Sequence, residues 1–400
     1  MKTTEMKDRL QQSQQFGRLY GHAQQQARQR CLRLIERYQQ EFSAEPCGLF
    51  SAPGRTEVGG NHTDHQHGRV LAASVNMDVL AAAGVRPDRE VVFLSEGFEI
   101  QPVSLEDLFV HEQEKNSSEA LIRGVLAGFV RNGWKIGGFQ AVSDSTVLKG
   151  SGISSSAAFE VLIGTILSHL YNEGQVPPEE IARIGQYAEN VYFGKPSGLL
   201  DQMACSVGSF VTIDFQDPEH VAVRQIDFDF AASGITLCLV DTRQDHANLS
   251  DEYGLMPQEM KQVAAFFGKD VLREVDSGEF YRRIGEVRQA LDNDRALLRA
   301  MHFFAEDQRV PLEVEALQRK DLHRFFELVR ESGRSSYMYL QNVYSPSDIR
   351  HQSLSLALAV SEHVLAERGA WRVHGGGLAG TIQAFVPNDL LETYRGLMEN

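Results

Sequence analysis

The stretch GRTEVGGNHTDHQHG, from Gly54 to Gly68, carries more information about fold and chemistry than any other part of the chain. Its fifteen residues include four glycines, three histidines and three charged side chains, Arg55, Glu57 and Asp64. Glycine lets a backbone turn tightly or approach a ligand closely, and the other residue types bind metals, anions or hydroxyl groups. The segment therefore indicates a binding site for a metal, a phosphate or a sugar.

A transition-metal site is one interpretation of this segment. Four of its side chains belong to types that coordinate zinc, namely His62, Asp64, His65 and His67. A tetrahedral site needs side chains that converge on one point, and residues so close together in a loop rarely all converge. We therefore expect no bound transition metal here.

The composition is typical of a globular protein with two domains. A chain of 400 residues exceeds one ordinary hydrophobic core, and 42% hydrophobic with 23% charged residues is an ordinary balance. The turn-forming residues QDPE at 216–219 suggest an N-terminal domain at 1–218 and a C-terminal domain at 219–400. The formal charge of −15 disfavours nucleic acid and anionic membranes as partners.

The N-terminal segment and the cysteines favour a cytoplasmic location. The first fifteen residues, MKTTEMKDRLQQSQQ, lack the apolar run of a secretory signal. No window approaches the roughly eighteen apolar residues of a membrane span. The four cysteines, Cys31, Cys47, Cys205 and Cys238, lack the CxxC spacing of a zinc ribbon and suggest no disulfide framework.

Outward from the opening segment, helical and strand patterns alternate along the chain. Residues 22–42 have the period of an amphipathic helix, with Cys31, Leu34, Ile35 and Tyr38 on one stripe. Strand patterns occur at 68–85, 90–96, 139–147, 208–215 and 235–242. Helical patterns occur at 117–133 and 177–194, and at 148–174 a glycine-serine turn leads into a long apolar helix.

The segment GSGISSSAAFE, at 150–160, is a candidate phosphate-binding turn. Its glycines allow close approach to an anion, and serines and the first helical amides supply donors at the positive end of a helix dipole. It is not a Walker A motif, because no G-K-[ST] is present. An ordinary loop with a serine helix cap is the alternative.

Two further segments add to this interpretation. HGGGLAG, at 374–380, is a flexible loop that can bring backbone against a ligand, or simply a turn beside a strand. FGKPSGLLDQ, at 193–202, places Asp201 beyond a helix. Taken alone, Asp201 is more often a helix cap or a surface carboxylate.

Together, four ordered segments resemble the GHMP small-molecule kinase superfamily and, within it, the galactokinase family. APGRTEVGGNHTDHQHG is similar to the family's sugar-recognition signature, PGR-x-N-x-I-G-E-H-T-D-Y-x-x-G, and LKGSGISSSAA resembles its phosphate-binding motif. VHGGGLAG resembles the third motif, and FGKPSGLLDQ resembles the segment that carries the catalytic aspartate. The resemblance extends from about Phe16 to Pro387.

This resemblance implies the fold and the reaction. It implies an α+β, two-domain GHMP kinase fold, with an N-terminal mixed α/β domain of the ribosomal-protein-S5-like type and a ferredoxin-like C-terminal domain. It also implies a sugar and a nucleotide bound in a cleft between the domains. ATP and Mg²⁺ would serve phosphorylation of the sugar's C1 hydroxyl.

The resemblance also assigns roles to individual residues. Arg55 and Asp201 match the catalytic pair. The positions that match the sugar site are Asn61, His62, Asp64, Gly198, Asp201 and Tyr253. Those that match the ATP phosphate cradle are Gly150, Ser151, Gly152, Ile153, Ser154, Ser155 and Ser156, and those that match the Mg²⁺ ligands are Ser156 and Glu189.

The chemistry of these residue types agrees with the implied roles. A sugar hydroxyl is a poor nucleophile, and a carboxylate beside it can accept its proton or hold it in line. A neighbouring arginine keeps that carboxylate ionised and stabilises the charge on the transferring phosphoryl group. Mg²⁺ prefers hard oxygen ligands such as serine and glutamate, together with several waters.

Three letters depart from the signature. Asn61 replaces a glutamate that, by the resemblance, contacts the sugar's C6 hydroxyl; His65 replaces a tyrosine, and Glu57 replaces an asparagine. The loss of a negative charge at Asn61 leaves galactose as the expected substrate. It also leaves galacturonate or another C6-modified galactose as an alternative, since a glutamate would repel a C6 carboxylate.

A non-catalytic sugar sensor is the rival from a different functional class. A chain that had lost catalysis should show replacements at Asp201, Arg55 or the serines of the phosphate loop. All of these residues are present. We therefore expect an enzyme, acting on a small sugar and ATP, as a monomer or weak homo-oligomer.

Overall fold

The computed structural model describes residues 3–147, 152–244 and 250–399. The strands there are β1 (Gly48–Gly59), β2 (Arg69–Val85), β3 (Glu90–Ser95), β4 (Val103–Ser104), β5 (Phe139–Ser145), β6 (Phe210–Asp214), β7 (Ala222–Ile226), β8 (Ile235–Asp241), β9 (Ala370–Val373) and β10 (Thr381–Pro387). The α-helices are α1 (Thr3–Gln12), α2 (Gln15–Tyr20), α3 (Gln24–Phe42), α4 (Ser118–Arg131), α5 (Ser155–Tyr171), α6 (Pro178–Tyr187), α7 (Leu200–Val207), α8 (Ser250–Phe266), α9 (Ser277–Arg282), α10 (Ile284–Leu291), α11 (Asp294–Gln318), α12 (Leu322–Ser335), α13 (Ser353–Leu365) and α14 (Leu391–Glu399).

These elements form two compact units that interleave along the chain. Among the described residues, unit 1 contains 3–55, 74–147 and 153–208, and unit 2 contains the rest. The boundary predicted at 218/219 differs from this division, because residues 56–73 and 209–218 belong to unit 2. The assignment of 1–218 and 219–400 as domains stays a prediction.

Unit 1 is built on a mixed sheet. Strand β5 pairs antiparallel with Val79–Val85 of β2 and parallel with β3, and β3 pairs antiparallel with β4. The apolar stripe predicted for α3 is buried: Leu34 and Tyr38 lie in one core cluster with Leu80 and Val142. Helices α4, α5, α6 and α7 pack on one another. Residues at the starts of α5 and α7 belong to the candidate site described below.

Local sequence explains where these helices begin. The Ser117 hydroxyl accepts the Ala120 N–H at 3.2 Å and so caps α4. Helix α6 begins at Pro178, whose missing N–H costs nothing in a first helical turn. A π-helical turn, Ala188–Phe193, continues α6 to Gly194, which has φ +85°. The helices predicted at 117–133 and 177–194 are thus confirmed within a few residues.

Unit 2 contains a three-stranded antiparallel sheet in the order β8-β10-β9. Arg69–Ala73 of β2 pairs antiparallel with β6, which pairs in turn with β7. The long helix α11 packs against α8 and α12. Its Phe303 and Phe304 are buried in one core cluster with Met260 and Val263 of α8.

Among the residues described, no helix combines the length and the apolar character needed to cross a bilayer.

Candidate active site

Arg55 and Asp201 form an ion pair inside unit 1. Arg55 lies near the end of β1, and Asp201 lies in the first turn of α7. The Arg55 Nε donates to Asp201 Oδ1 at 2.7 Å, and the Ser154 hydroxyl donates to Asp201 Oδ2. Charge-assisted hydrogen bonds to both oxygens fix the orientation of the carboxylate.

The surroundings of Asp201 favour its ionised form. Burial raises the pKa of the Asp201 carboxyl, but the Arg55 charge and the hydrogen bonds from Arg55 and Ser154 outweigh burial and lower the pKa below its usual value. The start of a helix also favours a negative charge. Asp201 is therefore a carboxylate at neutral pH that can accept a proton from a hydroxyl group.

The backbone turns sharply just before α5. Ser154 has φ 59°, in the left-handed region, and the preceding Ile153 carbonyl accepts the Arg55 N–H at 3.1 Å. A Cβ on Gly54 would lie 2.9 Å from that carbonyl oxygen, so this contact requires glycine. The turn thus holds Ser154 beside Arg55.

Two other residues that match the phosphate cradle lie just before α5 and at its start. Gly152 has φ +75°, which favours glycine, and Ser155 begins α5. Gly150 and Ser151 lie outside the described residues.

Ser156 and Glu189, the predicted Mg²⁺ ligands, lie in hydrogen-bond contact. The Ser156 hydroxyl donates to Glu189 Oε1 at 2.9 Å, and Lys195 Nζ lies 3.2 Å from the same oxygen. The Ser197 hydroxyl and the Gln202 amide donate to Glu189 Oε2 at 2.8 and 2.7 Å. A hydroxyl and a carboxylate side by side provide the hard oxygen atoms that Mg²⁺ prefers.

A second buried carboxyl, Glu160, lies behind Glu189. The Gln202 Nε2 donates to Glu160 Oε2 at 3.0 Å as well as to Glu189. Burial, followed by the Glu189 charge, raises the pKa of Glu160 well above its usual value. Sequence reasoning missed Glu160, Gln202 and Ser197; the signal available was that Ser197 and Gln202 belong to the FGKPSGLLDQ segment.

In unit 2, the signature segment forms a tight turn after β1, centred on His62. His62 has φ 58°, which is uncommon for a residue with a side chain. Its Nε2 lies 3.0 Å from the Gly376 carbonyl oxygen. Because a carbonyl oxygen only accepts, we assign the ring proton to Nε2 and an acceptor lone pair to Nδ1.

His62 is neutral and keeps one acceptor available. Burial, followed by the charge of His65, lowers the pKa of His62 to about 3. Within the described residues, the buried Nδ1 has no hydrogen-bond partner. A buried polar atom without a partner suits a ligand group, and a sugar hydroxyl is a donor of the right kind.

Tyr253 and Asp64 lie around His62. The Tyr253 and His65 rings lie 5.3 and 5.6 Å from the His62 ring, centroid to centroid. Asp64 Oδ1 accepts the His65 N–H at 2.9 Å. Gly198, by contrast, lies in an exposed loop of unit 1 before α7. No group of three or more His, Cys, Asp or Glu side chains in the described ranges is arranged to hold a metal ion.

Asn61 differs from the other predicted sugar ligands because protein groups surround its side chain. Its Nδ2 donates to Glu57 Oε1 at 2.9 Å and to the Gly375 carbonyl at 2.7 Å. Its Oδ1 accepts hydrogen bonds from Ser336 at 3.2 Å and from Asn342 at 2.9 Å. The side chain is fully buried.

The third motif is a glycine loop that packs closely on side chains of unit 2. A Cβ on Gly376 would lie 2.3 Å from the Tyr253 ring, and one on Gly377 would lie 2.0 Å from the Asn342 carbonyl oxygen. Only glycine fits at these two positions. The loop therefore supplies the Gly376 carbonyl that holds His62.

Helix α11 fixes the backbone of the signature turn. Glu306 accepts the N–H groups of Gly60 and Asn61 at 3.1 and 3.3 Å, and His302 Nε2 donates to the Asn61 carbonyl at 2.9 Å. Burial raises the pKa of Glu306, but Arg309 and other cationic groups outweigh it and lower the pKa to about 2. Sequence reasoning missed Glu306 and His302, because no local pattern links them to a segment some 240 residues earlier.

A buried ion pair also supports the turn. Arg372 of β9 has no exposed side-chain surface, and it donates to Glu57 Oε1 at 2.7 Å and to the Val58 carbonyl at 2.6 Å. The His374 Nε2 accepts the Glu57 N–H at 3.3 Å. Glu57, which the sequence showed only as a departure from the signature, is thus bonded from two sides.

Comparison with known proteins follows the same segments. The family model described as the galactokinase galactose-binding signature matches residues 36–85, and the GHMP kinases N terminal domain model matches residues 120–209. A galactokinase of Streptomyces coelicolor is 33% identical over 352 residues, which cover 86% of this chain and 86% of that protein.

Solved structures show the same fold. The crystal structure of Lactococcus lactis galactokinase complexed with galactose matches with a TM-score of 0.77 and 22% identity, over 92% of this chain and 93% of that chain. Methanococcus jannaschii mevalonate kinase matches with a TM-score of 0.62 and 13% identity, over 88% and 94%. The α+β GHMP kinase fold expected from the sequence is confirmed, and the chain belongs to the galactokinase family.

Proposed function

We propose that this chain transfers the γ-phosphoryl group of ATP to the C1 hydroxyl of galactose and produces galactose 1-phosphate. The observation that carries the proposal is the Arg55–Asp201 ion pair with its Ser154 hydrogen bond, in a member of the galactokinase family. The Streptomyces coelicolor relative is a galactokinase, and the Lactococcus lactis structure holds galactose. Both names support galactose as the substrate.

In this mechanism, Asp201 acts on the C1 hydroxyl. As an ionised carboxylate it accepts the hydroxyl proton or holds the oxygen in line with the phosphorus. Arg55 keeps Asp201 ionised and offers positive charge to the transferring phosphoryl group. Ser154 donates to the other Asp201 oxygen and restrains its rotation.

We further propose that residues 150–156 bind the ATP phosphates at the start of α5. Backbone amides at a helix N-terminus favour anions. Ser156 and Glu189 would hold Mg²⁺, which supplies charge neutralisation at the phosphates when bound. Their oxygen donors, in contact at 2.9 Å, support this assignment.

For the sugar, we propose that His62, Asp64, Gly198 and Tyr253 contact its hydroxyl groups. The neutral His62 supports this, because its Nδ1 can accept a hydrogen bond from a hydroxyl. Asp64 can accept two hydrogen bonds from neighbouring hydroxyls. Asn61, which the signature places among the sugar ligands, is treated separately below.

The charge near Asn61 does not separate galactose from a C6-carboxylate sugar. Galacturonate was considered because Asn61 carries no charge where the signature has a glutamate. Glu57 lies 2.9 Å from the Asn61 amide, but its charge is paired with the buried Arg372 at 2.7 Å. The preference for galactose therefore rests on the Streptomyces coelicolor relative and on the galactose in the Lactococcus lactis structure.

An ATP-consumption assay with galactose, galacturonate, N-acetylgalactosamine and glucose tests the proposal. We expect turnover with galactose and a kcat/KM at least tenfold lower with each of the other sugars. Preference for galacturonate would identify the alternative kinase, and galactose binding without ATP consumption would identify the sensor.

We also propose a cytoplasmic location and a monomeric or weakly associating chain. The four cysteines are free thiols, which is usual in a reducing compartment.

A further inference from the structure

The hydrogen-bonding capacity of the Asn61 side chain is used up inside unit 2. A primary amide has two N–H donors and two acceptor lone pairs. Both donors are engaged by Glu57 and Gly375, and Oδ1 accepts from Ser336 and Asn342. A sugar hydroxyl could bind Asn61 only by displacing one of these partners.

The partners of Asn61 are themselves fixed. Ser336 and Asn342 are fully buried, and the Glu57 oxygen that accepts from Asn61 also accepts from the buried Arg372. Asn342 donates a second hydrogen bond to the Gly376 carbonyl at 3.1 Å. Displacing any of them would leave a buried polar group unpaired, which is costly.

These contacts place Asn61 between two parts of the sugar-recognition region. Through Glu57 it is bonded to β1. Through the Gly375 carbonyl it is bonded to the glycine loop of the third motif, residues 374–380, called the third glycine loop below. The next residue, His62, is bonded to the following carbonyl of that loop, Gly376. The orientation of His62 therefore depends on the loop that Asn61 holds.

We propose that Asn61 is a positioning residue rather than a sugar ligand: with Glu57 and Arg372 it forms a buried link that fixes the third glycine loop and thereby His62. Rejection or acceptance of groups at the sugar's C6 then depends on residues other than Asn61. The proposal rests on the proposed sugar-kinase function for its kinetic test, whereas its structural test is independent of that function.

In this link the Asn61 amide donates hydrogen bonds, and substitutions at positions 57 and 61 change which groups are charged. In Asn61→Asp, a carboxylate replaces the amide that donates to Glu57 and to the Gly375 carbonyl, so two negative groups face each other. In Glu57→Gln/Asn61→Asp, this repulsion is removed because position 57 is then neutral, but the carboxylate at position 61 still cannot donate to the Gly375 carbonyl. The double variant also keeps one negative charge near Arg372, and both changes are nearly isosteric.

The structural test measures hydrogen–deuterium exchange at 374–380 and the thermal unfolding midpoint. Asn61→Asp should speed exchange in this loop at least tenfold and lower the midpoint. The double variant should recover at least half of the midpoint change, because the like charges are gone, while exchange in the loop stays fast, because no donor to the Gly375 carbonyl is restored. Asn388→Asp is the matched control, since Asn388 is exposed and its side-chain oxygen only accepts, from Thr236. Unchanged loop exchange in Asn61→Asp, or wild-type loop exchange in the double variant, overturns the proposal.

The kinetic test compares galactose with 6-deoxygalactose, which lacks the C6 hydroxyl. In Asn61→Ala, kcat/KM should fall at least tenfold for both sugars, with their ratio within threefold of the wild-type ratio. A larger change in the ratio means that Asn61 reads C6, because a group that hydrogen-bonds a substrate hydroxyl discriminates strongly against its loss. If the wild-type protein phosphorylates neither sugar, the proposed function fails, and the exchange measurements still decide the role of Asn61. If Asn61→Ala does not fold, the same ratio is measured on Glu57→Gln/Asn61→Asp.

Discussion

Asp201→Asn is the sharpest perturbation of the proposed mechanism. Asparagine has nearly the same shape as aspartate, and its oxygen can still accept from Arg55 or Ser154. It lacks the negative charge that accepts a proton from the sugar hydroxyl. The substitution therefore separates proton acceptance from the local geometry.

The expected loss of turnover follows from the role proposed for Asp201. Loss of a positioned acid–base group lowers turnover by about 10²- to 10⁴-fold, and each factor of ten corresponds to about 1.4 kcal/mol in the barrier. The effect on folding should be smaller. The Asp201 side chain is 32% exposed and that of Arg55 is 10% exposed, so removing the carboxylate charge should cost about 1–3 kcal/mol of folding free energy.

The assay couples ADP release to a spectrophotometric signal at saturating galactose and ATP, with thermal unfolding measured in parallel. Asp144→Asn is the control: Asp144 pairs with Arg30 at 2.9 Å, its side chain is 26% exposed, and Arg30 keeps a second partner in Asp78 at 2.7 Å. Asp144→Asn should therefore lose less stability than Asp201→Asn, and only Asp201→Asn should lose kcat. A kcat for Asp201→Asn within threefold of wild type, in a folded protein, would refute the assigned role.

Three further predictions concern the metal, the phosphate turn and pH. Glu189→Gln should raise the Mg²⁺ concentration for half-maximal activity by about tenfold or more, whereas Glu179→Gln on exposed surface should not. Gly54→Ala should displace the Ile153 carbonyl, 2.9 Å from the new Cβ, at a cost of about 1–3 kcal/mol, and raise the KM for ATP. Burial, followed by the His65 charge, lowers the pKa of His62 to about 3, so the unfolded chain takes up a proton below about pH 6.5 that the folded chain excludes. Stability should therefore fall with decreasing pH in this window by up to about 1.4 kcal/mol per pH unit, and His62→Gln should reduce that slope in urea unfolding between pH 7 and 5.

Each of these expectations can fail in a specific way. An unchanged Mg²⁺ requirement in Glu189→Gln would remove this residue from the metal site. Wild-type stability and ATP affinity in Gly54→Ala would show that the turn before α5 yields easily. An unchanged pH slope in His62→Gln would show that folding leaves the pKa of His62 near its usual value.

Much of the fold could be predicted from sequence because its signals are local. The stripe of Leu34 and Tyr38 on α3 and the Ser117 cap of α4 depend on residues a few positions apart. The limits of the compact units could not be predicted this way. Residues 56–73 belong to unit 2 because of contacts with segments more than 200 residues later, such as the bonds of Glu306 to the signature turn.

The candidate site likewise has features that the sequence predicts and features that only the fold shows. By itself, the sequence determined the types and order of the candidate site residues in the segments that carry Arg55, Ser156 and Asp201, because each motif consists of consecutive residues. Only the tertiary structure decided what surrounds them. It paired Arg55 with Asp201 across 146 positions, and it enclosed Asn61 among Glu57, Gly375, Ser336 and Asn342, because hydrogen-bond saturation depends on residues that only folding brings together.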